Sequence, residues 1–439
     1  MMITRAIRYV VPVALLVVVA AIAAASDDGG DRQLTLDEAK RLAFRRNWDL
    51  LAAKSDVDAA DAQRIVAEEF PNPIFSWSTA RIGLDRASEA VPTGAPLWDR
   101  SLDSIFAVNQ LFEIGGKRSA RQRSAGAGFD AARARLADAR RTLDAGVTKA
   151  YVAAALAADS ARILTESAGH LRREADIARV RFRSGDISQS DLDRIELAAQ
   201  QDELAAAGAE ANAVQQRLAV ETLLGVKSPK GAWVAADSVE ALANLPPAAA
   251  PTAPERPDLA AARAAQKQAE SDVKLQKAYR VPDPTVLVFY EHQPPDTNNT
   301  LGIGLSFPLP LWNWNNGAIG AAAASRDKAA LAVEQTAAAV AADIATARST
   351  CDEALARWRR YRDQLRPKSG QIREAVSYAY EKGGAALLDL LEAQRDDNTV
   401  RLGAAQAAAD AATAAAALSA ALNGASPAGA GPAPTPSKE

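Results

Sequence analysis

The sequence has few of the side chains on which catalysis and metal binding usually depend. Its 439 residues include one cysteine, two histidines and two methionines, and the methionines are Met1 and Met2 at the start of the chain. A single cysteine excludes a disulfide within the chain. With only His170 and His292 available, a paired-histidine metal site or a histidine-based triad is not expected, and we interpret both as solvated side chains. We expect no enzymatic activity, no cofactor and no resident metal.

The sequence also lacks an excess of charge of either sign. It has 51 Lys and Arg against 54 Asp and Glu, a formal net charge of −3, and the two signs are finely interspersed. Nucleic-acid binding requires a clustered basic surface, so we expect no nucleic-acid partner. Gly115-Gly116-Lys117-Arg118 superficially looks like a phosphate-binding loop. It lacks the earlier glycine and the Ser or Thr after the lysine that such a loop requires.

Long apolar runs are missing except at the N-terminus. Arg5 and Arg8 precede an apolar run over residues 9–24, which ends in the small residues Ala23 to Ala25. This pattern predicts a secretory signal peptide over residues 1–25, and a retained membrane anchor is the alternative. In either case the rest of the chain leaves the cytoplasm. The sole cysteine, Cys351, lies far from the cleavage site, so it cannot accept an N-terminal lipid, and we expect it to be a small buried hydrophobe.

The sequence contains an internal duplication. An alanine-rich helix that ends in Phe70-Pro71-Asn72-Pro73 has a counterpart that ends in Val281-Pro282-Asp283-Pro284. Each is followed by two β-like runs and a very long helix. The duplication predicts a first repeat over residues 26–225, a linker over 226–255 in which Trp233 anchors a small piece of structure, a second repeat over 256–423 and a disordered tail over 424–439.

The long helices are too long for a compact globule. No proline lies between Gly116 and Ser184, and apolar residues recur there at three-, four- or seven-residue steps. Some 65 helical residues span roughly 100 Å. The second long helix is predicted over 315–382, and return helices over 190–224 and 385–422 complete two hairpins. A coiled-coil tube fits this length, and an ordinary bundle core is the alternative explanation of the apolar stripe.

Four short runs between the helices have β character. They are predicted at 74–83, 101–111, 285–293 and 300–308. In the last, Leu301, Ile303, Leu305 and Phe307 alternate with small residues. A sheet of four strands leaves two edges unpaired, which is forbidden in lipid, so a membrane wall requires several copies to close it. A soluble β-insert that caps a helical bundle is the alternative.

The two hairpins turn at glycine-containing breaks that match each other. The first is RFRSGDISQSDLDRIELA at 181–198 and the second is AYEKGGAALLDLLEAQR at 379–395. Placing Gly185 on Gly383 brings Phe182 onto Tyr380 and Asp191 onto Asp389. A helix C-cap followed by a new helix explains the glycines. We add a docking role as a hypothesis.

These motifs together resemble a known family. LTLDEAKRLAFRRNWDLLAAK from Leu34, LFEIGGKRSARQ from Leu111 and FPLPLWNWNNGAIGAA from Phe307 resemble the TolC-like outer-membrane factor family, in particular its heavy-metal and cation branch. The match covers nearly the whole mature chain. Trp48 stands where proline is more usual, and the lipidated N-terminal cysteine of many relatives is absent.

The resemblance implies a fold and a function. The fold is mainly α with a small β part: three chains would each give four strands to one twelve-stranded transmembrane β-barrel, and their coiled-coil hairpins would form a periplasmic tube. The chain would be a passive channel subunit of a tripartite efflux system in the outer membrane, in contact with lipid. Its partners would be a periplasmic adaptor and an inner-membrane RND-type pump, and its cargo could be divalent metal cations. A secreted or periplasmic helical scaffold protein with soluble β-inserts is the alternative.

The resemblance also implies site residues at the hairpin tips. Adaptor docking is carried over to Gly185, Asp186, Ile187, Ser188, Leu192, Gly383, Gly384, Ala385 and Leu388. Asp191 and Asp389 would line a pore constriction as an acidic ring that attracts cations. Helix N-capping explains either aspartate about as well.

Overall fold

The computed structural model describes residues 32–80, 103–246, 255–293 and 297–423. The predicted signal peptide, the predicted tail, and the parts of the predicted strands at 81–83 and 101–102 lie outside these described residues. The division of the chain into repeats and linker stays a prediction, although the order of elements below follows it.

Each repeat has the same order of elements, namely helix, two strands, and a long helical hairpin. The first comprises β1 (Arg32–Leu34), α1 (Leu36–Arg46), α2 (Trp48–Glu68), β2 (Ile74–Ala80), β3 (Asp103–Leu111), α3 (Lys117–Arg183) and α4 (Gln189–Leu223). Between the repeats lie β4 (Trp233–Ala235) and α5 (Val239–Ala243). The second comprises α6 (Pro257–Ala278), β5 (Thr285–Gln293), β6 (Thr297–Ser306), α7 (Asn316–Arg360), α8 (Arg366–Glu381) and α9 (Leu387–Ala421).

The first hairpin follows the sequence prediction closely. Its outgoing helix α3 has 67 residues and starts directly after Gly115 and Gly116, whose φ angles of +73° and +81° end the preceding extended segment. Glycine adopts these left-handed angles without the steric cost that other residues meet. At about 1.5 Å per residue, α3 is about 100 Å long. It is therefore a rod that must be stabilised by packing against neighbouring helices along its length.

The second hairpin corrects the prediction of one continuous helix over 315–382. The α-helix stops at Arg360, a π-helical turn spans Tyr361–Leu365, and α8 continues from Arg366. Pro367 explains the interruption, because proline has no N–H to donate and its ring displaces the carbonyl four residues earlier. Gly403 on α9 lies opposite this turn, where a Cβ atom would lie 2.9 Å from the Tyr361 hydroxyl. The absence of a side chain at Gly403 thus leaves room for the Tyr361 ring.

The four predicted strands form one antiparallel sheet in the order β2-β3-β5-β6. Trp77, Phe106, Tyr290 and Leu301 are consecutive cross-strand partners, so they share one face. The last strand runs from Thr297 to Ser306 and not over 300–308 as predicted, since the chain leaves the ladder before Pro308, which has no N–H to donate. The outer edges of β2 and β6 have no strand partner among the described residues.

The segment between the repeats contains ordered structure, as the anchoring role predicted for Trp233 requires. β4 pairs in parallel with β1, which brings Trp233 beside Arg32. The Trp233 ring stacks on Tyr151 of α3, with ring centroids 6.0 Å apart. The buried Tyr151 hydroxyl donates to the Leu34 carbonyl at 2.6 Å and lies 2.9 Å from an Asp237 carboxylate oxygen. This segment is therefore fastened to the middle of the first hairpin.

The main core lies at this level, about half-way along the rod. It joins α1, α3, α5, α7 and α9, and it is filled by Trp358, Tyr151, Cys351 and a run of alanines on α9. Cys351 is buried, as predicted. Alanine lets helices approach closely at little entropic cost. No helix in the described part of the chain is apolar enough over a sufficient length to cross a membrane.

Candidate functional site

The tip of the first hairpin is a five-residue turn between α3 and α4. Gly185 has φ +78°, and the Asp186 N–H donates to the Arg181 carbonyl at 2.9 Å. This bond closes the C-terminus of α3 with a left-handed glycine. Ser188 then caps α4, because its hydroxyl oxygen accepts from the Asp191 N–H at 3.2 Å and donates to the Asp191 carboxylate at 2.7 Å.

The tip of the second hairpin repeats this geometry at equivalent positions. Gly383 has φ +75°, and the Gly384 N–H donates to the Ala379 carbonyl at 2.8 Å. The cap differs, since Ala386 has no hydroxyl. Here the Asp389 carboxylate alone accepts, from the Ala386 N–H at 3.0 Å. Both predicted breaks are thus helix C-caps followed by a new helix.

The two tips pack against each other through a small apolar cluster. Its buried members are Leu171, Ala175 and Ala178 of α3 and Leu192, Ile195 and Ala199 of α4. Leu387 and Leu391 of the second hairpin pack against this cluster, as does Ile187 from the first turn. We call this set the tip cluster. It brings together the two turns that the sequence matched to each other but did not place side by side.

A cation–π contact also joins the tips. The Arg181 guanidinium lies 5.5 Å from the centre of the Tyr380 ring. Burial raises the pKa of the Tyr380 phenol above its ordinary value, Arg181 acts in the opposite direction, and the carboxylates of Glu174 and Asp191 raise it further. The Tyr380 hydroxyl therefore stays protonated at neutral pH, and the contact is between a cation and a neutral ring.

The predicted docking residues fall into two groups. Leu192 is 8% exposed in the tip cluster, so it supports the turn from inside and presents no surface to a partner. The others lie in the turns or at the first residues of the return helices, and all of them are exposed or half-buried: Gly185, Asp186, Ile187, Ser188, Gly383, Gly384, Ala385 and Leu388. Leu388 contributes the largest exposed apolar side chain of the set, at 56%.

The two aspartates proposed for a pore constriction occupy equivalent positions, the third residue of α4 and of α9. Asp389 is exposed and Asp191 is half-buried. Each carboxylate forms a hydrogen bond at its own helix start. Helix capping therefore accounts for their equal spacing, and a role in the pore stays a prediction.

Polar contacts that the sequence did not predict join the two hairpins further along the helices from the tips. Arg401 of α9 is paired with Glu166 of α3, and the Asn398 amide donates to Ser167. The Ser167 hydroxyl in turn donates to Asp202 of α4 at 2.6 Å. The hydrogen bond from Arg401 lowers the pKa of Glu166. No local sequence signal marks these pairs, because their members lie far apart in the chain.

The sheet presents an exposed apolar face. Its large side chains are mostly exposed: Phe75, Trp77, Val108, Val288, Leu301, Ile303 and Leu305. Ile303, for example, is 79% exposed. The Trp77 and Phe106 rings stack on this face with centroids 6.1 Å apart. Exposed apolar areas of this extent mark an interaction surface.

The structure corrects the interpretation of His292 as a solvated side chain. His292 is 4% exposed and lies opposite Ser104 in the β3–β5 ladder. Its Nδ1 atom is 3.3 Å from the side-chain oxygen of Asn299. His170 is exposed, as predicted. The described residues include no group of three or more His, Cys, Asp or Glu side chains placed to hold a metal ion.

Comparison with known proteins agrees with this architecture. The family model described as outer membrane efflux protein matches residues 40–226 and 252–424. The chain belongs to the outer membrane efflux protein family. The two matched segments correspond closely to the two predicted repeats, and the resemblance inferred from the sequence motifs is confirmed.

Individual relatives are similar over most of their length. The chain is 27% identical over 370 residues to the cobalt-zinc-cadmium resistance protein CzcC of Cupriavidus metallidurans, covering 82% of this chain and 83% of that protein. The structure of CusC gives a TM-score of 0.73 at 15% identity, covering 89% of this chain and 92% of that one. The outer membrane protein VceC of Vibrio cholerae gives 0.71 at 19% identity, covering 89% and 96%. The predicted fold class, mainly helical with a small β part, is confirmed.

Proposed function

We propose that the chain is one of three identical subunits of an outer-membrane channel that carries divalent metal cations out of the periplasm. In this proposal the sheet contributes four strands to a common barrel, and the hairpins extend into the periplasm. The channel is a passive conduit, and it receives cargo from an inner-membrane pump of the RND type through a periplasmic adaptor.

The main observation in support of the proposal is that the sheet has an exposed apolar face and two edges that lack a strand partner among the described residues. In lipid every backbone N–H and C=O must be paired, so a sheet of this kind is stable there only when copies of it close into a barrel. Closure by further copies satisfies the edges and gives the apolar face its lipid environment.

The length of the hairpins supports the periplasmic part of the proposal. At about 100 Å, α3 is several times longer than the roughly 30 Å hydrocarbon core of a bilayer. The strands and the hairpin tips lie at opposite ends of this helix, because β3 ends just before Lys117 and the turn follows Arg183. A chain with its sheet in the outer membrane therefore presents its tips deep in the periplasm.

The proposed cargo rests on the relatives. CzcC is named as a cobalt-zinc-cadmium resistance protein and is similar over four-fifths of the chain. A passive conduit needs no metal ligands of its own, so selection of the cation is assigned to the pump. The acidic side chains Asp191 and Asp389 would raise the local concentration of cations at a narrow tip.

Deletion of the gene tests the proposal. Cells that keep the pump and adaptor but lack this chain should lose tolerance to cobalt, zinc or cadmium, and expression of the chain should restore it. The restored protein should fractionate with outer membranes and purify as a trimer in detergent. Recovery of a soluble monomer from the periplasmic fraction would contradict the proposal and favour a helical scaffold protein.

The docking role of the tips needs a separate experiment. A Cβ atom added at Gly185 or Gly383 would meet nothing within 4 Å, so arginine there adds bulk and charge outward. Both residues have positive φ, however, so any side chain also strains the turn. We expect the double variant to lose cross-linking to the adaptor while it remains a trimer. Gly185→Asn with Gly383→Asn is the matched control, because asparagine adopts positive φ more readily than arginine and adds no charge. An equal loss of cross-linking in this control would show that strain in the turn, and not the added bulk and charge, breaks the contact. Unchanged cross-linking of the tip variant would remove the docking role.

A further inference from the structure

The chain has two lateral surfaces, one at β2 and one at β6, that contact no other strand of the described residues. Strand β3 pairs with β5 across the boundary between the repeats, but β2 and β6 have nothing on their outer edges among the described residues. The helices show the same pattern. α3 packs against both α2 and α6, whereas α7 packs against α6 and has no extensive contact with α2. The first repeat therefore contacts the second through β3 and α3, whereas the equivalent contact of β6 and α7 with β2 and α2 is not made within the described part of the chain.

The contact made inside the chain provides a detailed template. In the β3–β5 ladder Val108 lies opposite Val288 and Gln110 opposite Val286. Below the strands the buried Lys117 amine forms an ion pair with Asp283 at 2.7 Å. A Cβ atom on Gly115 would lie 2.9 Å from Cβ of Val281, so these two backbones approach closely.

Internal duplication converts this template into a prediction for the open surfaces. Ile74 and Thr285 each begin the strand that follows a Pro-x-Pro segment, and their partners in the next strand are Asn109 and Ser306. These equivalences map β3 onto β6 and β5 onto β2. The pairing of Gln110 with Val286 then becomes Phe307 opposite Phe75.

The pairing of Val108 with Val288 maps in the same way onto Leu305 opposite Trp77. The mapped positions Phe75, Trp77, Leu305 and Phe307 all carry large apolar side chains that are more than half exposed. The alternation along the strands, continued by one residue beyond Ser306 to Phe307, puts all four on the apolar face. A shift of one residue would place the small residue Ser306 opposite Phe75. Because such a slip moves a strand's whole apolar set to the other face, a buried or lipid-covered face specifies register strongly.

A second correspondence relates two exposed aromatic side chains between the strands and the long helices. The segment from strand to helix is two residues longer after Ser306 than after Asn109, so positions there are counted back from the left-handed residue that precedes each long helix, and Gly115 corresponds to Trp314. Val281 corresponds to Phe70, since each directly precedes its Pro-x-Pro segment. The Arg118 guanidinium lies 4.1 Å from the centre of the Phe70 ring, yet Phe70 remains 69% exposed and Trp314 53%. Both rings are therefore accessible to each other, and because they are much larger than Gly115 and Val281 their backbones must lie further apart than in the template.

We infer that β6 and Trp314 of one copy bind β2 and Phe70 of the next copy, with Phe307 opposite Phe75 and Leu305 opposite Trp77. The inference rests on the proposed trimer and adds the register and the residues of its contact. Around a ring of three copies each copy uses both surfaces, so no open edge remains.

Paired cysteines test the register. In a Cys351→Ala background, Phe75→Cys with Phe307→Cys places two thiols on directly opposite residues, at a separation that a disulfide spans. The matched control is Phe75→Cys with Ser306→Cys, which moves one thiol by a single residue to the other face. We expect mild oxidation to give covalently linked trimers from the first pair, roughly tenfold more than from the control. Phe70→Cys with Trp314→Cys, treated with a short thiol-reactive cross-linker, tests the contact below the strands independently.

The mass of the unoxidised protein in detergent distinguishes the two levels of failure. A trimer that cross-links through Phe75 and Phe307, and not through Phe75 and Ser306, supports the inference. A trimer in which neither the Phe75–Phe307 pair nor the Phe70–Trp314 pair reacts, or in which the Ser306 control reacts best, overturns the register and leaves the proposed function standing. A monomer in detergent overturns both.

Discussion

Truncation of Leu391 should open the channel by weakening the tip cluster. Leu391 lies on the second hairpin and packs against the buried side chains of the first. This contact exists only while the two tips are together, so it stabilises the packed arrangement, which we take to be the closed one, relative to any arrangement in which the tips have separated. Leu391→Ala removes most of the contact and leaves the helix start at Leu387 unchanged.

The size of the effect follows from the burial of the side chain. Complete burial of a leucine side chain contributes about 1.5–3 kcal/mol, and Leu391 is half-buried. Its truncation should therefore shift the equilibrium between closed and open tips by about 0.75–1.5 kcal/mol in each subunit, which is roughly a four- to twelvefold rise in the ratio of open to closed tips. The neighbouring Leu388 is 56% exposed and is not part of the cluster, so Leu388→Ala should shift the ratio by no more than about twofold.

Single-channel recording in planar bilayers measures this ratio as the open probability. A supporting assay is the sensitivity of cells to a large antibiotic that intact outer membranes exclude, which should rise for Leu391→Ala alone. Equal open probabilities for the Leu391 and Leu388 variants, with both proteins trimeric, would refute the argument that packing between the hairpins holds the tip closed.

Local signals in the sequence were sufficient to place most of the rods and strands. The first long helix was predicted from Gly116 to Ser184 and runs from Lys117 to Arg183. Glycines that adopt positive φ and the Pro-x-Pro segments end helices through the backbone of the residues themselves. Their effect therefore does not depend on the rest of the fold, and element boundaries set by them can be predicted from sequence.

Features that depend on tertiary contacts were not predictable in this way. Pro367 was a visible signal for an interruption in the second long helix, but its form, a π-helical turn opposite Gly403, depends on how α7 and α8 pack against α9. The burial of His292 depends on its place in a ladder with β3, a strand far away in sequence. Pattern alone gave no reason to distinguish it from the exposed His170.

The candidate site shows the same division. Sequence located both turns because glycine and aspartate recur there at equal spacing, and the caps formed by Gly185 and Gly383 confirm that alignment. It did not show that Leu192 points into a cluster shared by both hairpins. Residues of a turn are assigned by local geometry, whereas their accessibility to a partner depends on the neighbouring hairpin.

Two further predictions concern charges at and above the tips. Asp191→Asn with Asp389→Asn removes two negative charges and retains side-chain acceptors for the helix starts, so we expect lower cation selectivity in planar bilayers with unchanged trimer stability; unaltered selectivity would contradict the acidic ring. Glu166 has its pKa lowered below the ordinary 4.5, chiefly by the hydrogen bond from Arg401. A carboxylate with a depressed pKa contributes stability that is present above its unfolded pKa and is lost as the pH falls through the folded pKa. Open probability should therefore rise below about pH 4.5 in the native channel. The rise should be smaller in Glu166→Gln, which lacks the titrating group at every pH. Identical pH profiles would show that the Glu166–Arg401 pair does not hold the hairpins together.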